Sequence, residues 1–164
     1  MTSNGRSSAE RREAVRLWLR VLSCTNAIEG RIRSELRRRF DTTLPRFDVL
    51  AQLEHAERDG TGALTMGELS RRLMVSNGNV TGLVERLERE GLVSRTRLAT
   101  DRRRQAVRLT SNGRRALRAM LPEHGAWVAA MFAGLSAKER SRLYELVGKL
   151  KGSVGTTLER GAIE

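Results

Sequence analysis

Cysteine, histidine, proline, aromatic residues and lysine are all scarce in this chain, and several of these scarcities narrow what it can be. The single cysteine, Cys24, excludes an intrachain disulfide framework and a cysteine-built zinc site. The two histidines, His55 and His124, lie far apart and in no ligand-spaced cluster, so no metal site is expected. No run approaches the roughly 18 consecutive apolar residues of a membrane-spanning helix. The opening residues, MTSNGRSSAE, lack the apolar segment of a secretory signal. A soluble cytoplasmic protein is the resulting expectation. There is no phosphate-binding glycine loop, no dinucleotide-binding glycine pattern and no nucleophile elbow, so neither an enzyme nor a bound cofactor is expected. Apolar residues make up 39% of the 164 and aromatics only 4%. Such a chain builds a modest core, and long amphipathic helices need a second chain to bury the rest.

What the chain has in excess is arginine. Lys plus Arg total 31 against 19 Asp plus Glu, for a net charge of +12, and only three of the 31 are lysine (Lys138, Lys149 and Lys151). Such a balance favours a polyanionic partner, of which nucleic acid is the commonest, although an arginine-rich proteome would also produce it. Guanidinium groups suit two-bond contact with phosphate or guanine better than ammonium groups do.

Residues 1–8 are small and polar and read as a disordered tail. From Ala9 to about Phe40, apolar residues recur three or four apart at Val15, Trp18, Val21, Leu22, Ile28, Ile32, Leu36 and Phe40, the pattern of a long helix. Pro45 suits a helical first turn, and Phe47 to Ala56 reads as a second helix. Ala63-Leu64 reads as a short strand. Thr65 and Glu68 have capping-box spacing and open a helix from Met66 to Leu73. Met74-Val75-Ser76 is a turn, with Ser76 the N-cap of a helix that stops at Gly91. Residues 92–109 read as a β-hairpin. Thr110 caps a helix reaching about Gly134, with Pro122 inside it, and Ser136 to Glu139 is a second capping box. A final helix follows, with fraying expected after about Thr156.

The order strand, short helix, three-residue turn, helix and hairpin over residues 63–110 is that of a winged helix-turn-helix. In its second helix Val80, Leu83, Val84 and Leu87 make one apolar stripe. Ser76, Asn77, Asn79 and Thr81 then form a hydrogen-bonding tip. Asparagine can bond adenine in two places, and Ser and Thr suit phosphate or a thymine methyl. Gly78 and Gly82 weaken such a helix by about 1 kcal/mol each relative to alanine, and close backbone approach to DNA is one reason to keep them. A plain helical pair packed in a core is the competing interpretation. At the hairpin tip, Arg102, Arg103 and Arg104 suit a minor groove or a phosphate clamp, with Asp101 able to orient Arg103; a solvated charged loop is the alternative. Glu85, Glu88 and Glu90 read as solvated or ion-paired surface.

The run SNGNVTGLVERLEREGLVSR followed by DRRRQAVRLTSNGR resembles the MarR family of bacterial transcriptional regulators, and the resemblance extends over nearly the whole chain. It implies a mainly α fold with a small β-hairpin wing (α+β). In that fold a winged helix-turn-helix core at 45–110 is flanked by dimerisation helices at 9–44 and 111–164. It implies a homodimer on a pseudo-palindromic double-stranded DNA site, acting as a sequence-specific regulator, expected to be a repressor, with a place on the nucleoid. Asp101 and Arg103 match the family's Asp-x-Arg wing element, which implies Arg103 in the minor groove with Asp101 orienting it. The apolar residues Trp18, Ile28, Leu117, Leu121, Trp127, Phe132, Leu143 and Leu150 point independently to a dimer, being more than one small winged domain covers. A nonspecific architectural nucleic-acid binder, or a winged module devoted to protein contacts, are the alternatives.

The same resemblance implies release by a small aromatic or phenolic acid. The candidates for that site are Trp18, Arg46, Phe47 and His55, an apolar wall with cationic or polar groups for a carboxylate. Each also has an ordinary interpretation: Trp18 and Phe47 as core, Arg46 as surface, and His55 as an ordinary histidine with its hydrogen bonds satisfied. Some relatives sense oxidants through a cysteine near the first helix, which makes Cys24 a redox candidate, although a buried structural thiol is the expectation here.

Overall fold

The computed structural model describes the backbone of residues 3–97 and 105–161, and within it the side chains of residues 8–97 and 105–155. Two compact units result, Met1–His124 and Gly125–Glu164.

The first unit opens with α1 (Ser3–Phe40) and α2 (Leu44–Arg58). Residues 3–8, expected as a tail, are therefore helical, a correction to the sequence reading. They contain no proline, and extending a nucleated helix costs little once its first turn exists. Helix α1 stops at Asp41, which takes up the left-handed conformation at φ 47°. Pro45 occupies the first turn of α2, where its missing N–H has no helical partner to lose. Short strand β1 (Leu64–Thr65) leads into α3 (Met66–Leu73), which starts where the capping box predicts and spans the expected residues. Helix α4 (Asn77–Arg89) follows, then strands β2 (Val93–Arg97) and β3 (Gln105–Leu109).

The sheet has the order β1-β3-β2 and is antiparallel throughout. Leu64 faces Val107, and on the other side Val93 faces Leu109 and Arg95 faces Val107. Strands β2 and β3 thus form the predicted hairpin. Their apolar positions Val93, Ala106, Val107 and Leu109 enter a core with Leu50, Leu53, Leu64, Leu69, Val80, Val84 and Leu87. Helix α5 (Ser111–Met131) begins in this unit, burying Gly113, Leu117 and Met120. The division between the two units falls inside α5, after His124.

Helix α1 joins the core only through its last third, where Ile32 and Leu36 are buried. Glu35 between them is also buried, and it is compensated by Arg31, Arg38 and Arg39 of the same helix. Hydrogen bonding from Arg38 is the main cause that holds the Glu35 carboxyl below its usual range. Further up α1, Val15, Leu17, Trp18 and Leu19 are exposed.

In the second unit, α6 (Ala137–Gly161) opens with the predicted capping box, Ser136 N–H and Oγ both reaching Glu139 Oε2 at 2.8 and 2.7 Å. It continues to Gly161, beyond the fraying point expected near Thr156; no proline interrupts the segment. Leu143, Leu146, Val147, Leu150 and Val154 recur at helical spacing along α6 and are all exposed. Among the described residues, no helix is long and apolar enough to cross a membrane, and no group of three or more His, Cys, Asp or Glu is placed to hold a metal ion.

Candidate nucleic-acid interface

The turn between α3 and α4 fixes how α4 is presented. Met74 ends α3 in the left-handed conformation at φ 54°, with its N–H on the Arg71 carbonyl at 3.3 Å. The Val75 N–H bonds the Ser70 carbonyl at 3.2 Å, and Ser70 Oγ donates to the Val75 carbonyl at 2.5 Å. This knot turns the chain within three residues, leaving Met74 91% exposed. Ser76 then caps α4, its Oγ accepting from the Asn79 N–H at 3.4 Å.

The four polar residues predicted at the tip of α4 divide by what they already hold. Ser76 is engaged as the cap, and Thr81 Oγ1 donates back to the Asn77 carbonyl at 2.9 Å. Asn77 and Asn79 are exposed, and among the described residues their amides have no hydrogen-bond partner. Behind them Val80, Val84 and Leu87 are buried as predicted, while Leu83 is half-buried. Leu83 lines an open trench of about 530 Å³ together with Thr43, Pro45, Val75, Gly78, Asn79, Gly82 and Arg86. A Cβ at Gly78 or Gly82 would meet nothing within 4 Å, so no internal packing requires either glycine.

The hairpin is attached to α4 by charge as well as by the core. Arg95 on β2 donates from Nε to Glu88 Oε2 at 2.7 Å, and its Nη2 lies 2.5 Å from the same oxygen. The Arg95 backbone N–H reaches Glu88 Oε1 at 3.3 Å, and Nη1 lies 3.9 Å from Glu85. Hydrogen bonding from Arg95 is the leading cause that lowers the Glu88 pKa, and the same bond raises that of Arg95. The expected ion-paired role of Glu85, Glu88 and Glu90 is thus realised, since Glu90 pairs with Arg46. The sequence reading missed Arg95, although GLVSR following LERE contains both partners. The predicted wing residues Asp101, Arg102, Arg103 and Arg104 lie outside the described residues.

The four effector candidates occupy different surroundings. Trp18 is 60% exposed on α1. Phe47 is buried in the core, its ring 4.8 Å from that of His124 and tilted by 33°. Burial lowers the pKa of His124. His55 is exposed, its Nε2 3.9 Å from Asp59. Arg46 is half-buried, pairs with Glu90, and has a buried Nε without a partner. Arg46 also lines a cavity of about 200 Å³ with Phe40, Thr42, Leu50, Leu92 and Met120. None of the described cavities is lined by more than one of the four. Cys24 is exposed on α1, against the expectation of a buried thiol; the helix places it on a stretch that reaches beyond the core.

Comparison with known proteins agrees with this architecture. Residues 40–104 match the family model described as MarR family. An uncharacterized HTH-type transcriptional regulator of Bacillus cereus is 33% identical over 135 residues, covering 82% of this chain and 86% of the relative. Among solved structures, AbsC, a MarR family transcriptional regulator from Streptomyces coelicolor, superposes with a TM-score of 0.75 at 22% identity, over 85% of this chain and 93% of that one. The MepR–DNA complex of S. aureus gives 0.70 at 24% identity, over 84% and 96%.

Proposed function

Because the chain belongs to the MarR family of HTH-type transcriptional regulators, we propose that it is a sequence-specific, ligand-released repressor that binds a pseudo-palindromic operator as a homodimer. The observation that carries this reading is the tip of α4. Its capping hydroxyl and Thr81 are engaged in the helix itself, whereas the amides of Asn77 and Asn79, without a partner among the described residues, stand at the end that would enter a major groove. Arg102, Arg103 and Arg104 then serve the adjacent minor groove or phosphates, with Asp101 orienting Arg103. In this reading residues 45–110 are the DNA-binding domain, and 9–44 with 111–164 supply dimerisation helices. Two features support the dimer. One is the exposed apolar face of α1 around Val15, Trp18 and Leu19; the other is the stripe Leu143 to Val154 on α6. Neither face suits permanent contact with water. The protein would act in the cytoplasm, on the nucleoid.

For the effector, a small aromatic or phenolic acid, Arg46 is the best-placed anchor of the four, because it lines a cavity of about 200 Å³ whose other walls include Phe40, Asp41, Leu50, Leu92 and Met120. Trp18, Phe47 and His55 are weaker candidates on their surroundings. The exposed thiol of Cys24 keeps an oxidant response open to test by Cys24→Ser.

The deciding experiment is selection of bound duplexes from a randomised library by the full chain, followed by competition with sheared genomic DNA. A specific regulator should prefer its selected duplex by about 10³ or more. Equal affinity for all sequences would instead support an architectural binder working through its +12 charge. Sedimentation of the free chain as a monomer would remove the dimer.

A further inference from the structure

We propose that Glu88 and Arg95 form a positioning clamp which sets the wing relative to α4 and thereby sets the selectivity of DNA binding. The inference rests on the DNA-reading role assigned above to α4 and the wing.

The two elements are joined by only residues 90–92, with Gly91 at φ 69° in the left-handed region. The Gly91 and Leu92 N–H groups bond the Glu88 and Leu87 carbonyls, both at 2.9 Å, and anchor the hairpin's base; beyond it the strand is held against α4 by apolar contacts of the core and by polar ones. Glu88 supplies the polar ones from the last turn of α4. One of its oxygens holds the guanidinium through Nε and Nη2, and the other accepts the backbone N–H of Arg95. The carboxylate therefore grips both the strand's main chain and its side chain, which no single rotamer change can preserve if the strand shifts. Strand β2 is an edge strand, because the order is β1-β3-β2. An edge N–H needs an acceptor from outside the sheet, and Glu88 provides it.

Charge complementarity separates this role from direct DNA contact. Arg95 is only one-quarter exposed and faces Glu88 at 2.5 Å and Glu85 at 3.9 Å, so its charge is already met. Removing Glu88's charge makes the protein one unit more positive, which by electrostatics alone strengthens binding to any DNA. A positioning role predicts the opposite for the preferred site, because a displaced wing and helix no longer meet successive grooves together.

Two variants test it. Glu88→Gln keeps the shape and removes one negative charge; Arg95→Lys keeps the charge and loses the planar two-bond geometry. Affinities are measured for the duplex selected by the wild-type chain and for sheared genomic DNA, alongside hydrogen exchange of the β2 amides. In both variants the ratio of selected to genomic affinity should fall by about tenfold, comparable to one mismatched base pair. Affinity for genomic DNA should rise in Glu88→Gln and stay level in Arg95→Lys, and the β2 amides should exchange faster in both. An unchanged affinity ratio in a folded variant overturns the clamp, as does unchanged exchange of β2. If the wild-type chain selects no duplex, the DNA-reading assignment fails, and the exchange measurement alone still decides whether Glu88 holds the strand.

Discussion

The backbone of Gly113 packs directly against the carbonyl of Leu92: a Cβ added at Gly113 would stand 2.0 Å from Leu92 O and 3.0 Å from its carbonyl carbon. That carbonyl has no freedom to retreat. It accepts from the Thr110 N–H at 3.1 Å and from Thr110 Oγ1 at 3.2 Å, while Thr110 Oγ1 also donates to Gly91 O at 2.6 Å. The Gly113 N–H in turn bonds Thr110 Oγ1 at 3.0 Å, capping α5. Gly113→Ala should therefore destabilise the chain by about 2–3 kcal/mol, the scale of overpacking against fixed backbone. Thermal denaturation checks this, and an unchanged midpoint would show that α5 can slide away from the hairpin's base.

Met74 is the reverse case, a side chain where the backbone favours none. Its φ of 54° costs an ordinary residue about 1 kcal/mol or more, and its exposed side chain recovers little by packing. Met74→Gly should stabilise the chain by about 0.5–1 kcal/mol, after allowance for the greater unfolded-state freedom of glycine. Met74→Val should destabilise it, since a β-branched residue tolerates this conformation least. Urea titration of the three proteins gives the ranking.

Residues whose chemistry is local were readable from the sequence, and those whose partners are distant were not. Thr65 with Glu68 announced the start of α3 because a capping box lies within four residues. Ser76 and Gly91 bracketed α4 for the same reason. The start of α1 was misplaced because residues 3–8 carry no apolar stripe for periodicity to detect, and the end of α6 because Gly155, Thr156 and Thr157 are poor helix formers, although Leu158 continues its apolar spacing. Phe47 shows the other limit. An aromatic residue on an amphipathic helix reads equally as core or as pocket wall until its neighbour, here His124 on another helix, is known. The Glu88–Arg95 pair spans a helix, a turn and a strand, so no single repeat would reveal it.

Asp48 gives stability a pH dependence. Burial is the main cause that pushes its pKa up to about 6, and the charge of Glu29 adds to it. The folded state thus binds this proton more tightly than the unfolded chain, whose carboxyl titrates near its ordinary value. The charged form's burial penalty is absent below about pH 4, grows between about pH 4 and 6, and is complete above that range. Asp48→Asn should therefore stabilise the chain at pH 7 by about 1–2 kcal/mol, discounted for partial exposure, with the gain vanishing near pH 4. Denaturant midpoints for both proteins across pH 4–7 test the sign, and a gain independent of pH would assign the effect to something other than this titration.

Arg103 bears on how the wing contributes. Arg103→Ala should weaken binding to the selected duplex and reduce the slope of log affinity against log salt by about one. The measurement is a salt series on one duplex. An unaltered slope would place Arg103 away from both phosphate and the charged minor groove.

Gly82 sets stability against function in the recognition helix. It lies inside α4, and its missing side chain leaves open space on a trench bordered by Thr43, Pro45 and Arg86. Alanine there has no clash to meet and should add about 1 kcal/mol of helix stability. If close approach of DNA to the backbone is why glycine is kept, the same methyl should stand between α4 and the groove. Gly82→Ala should then raise the thermal midpoint while lowering affinity for the selected duplex by about tenfold, the loss expected when one base contact is spoiled. Both quantities come from one preparation, by thermal melting and by fluorescence anisotropy. Opposite signs would tie the glycine to DNA, whereas a stabilised variant with full affinity would mean that α4 meets the groove through its side chains alone.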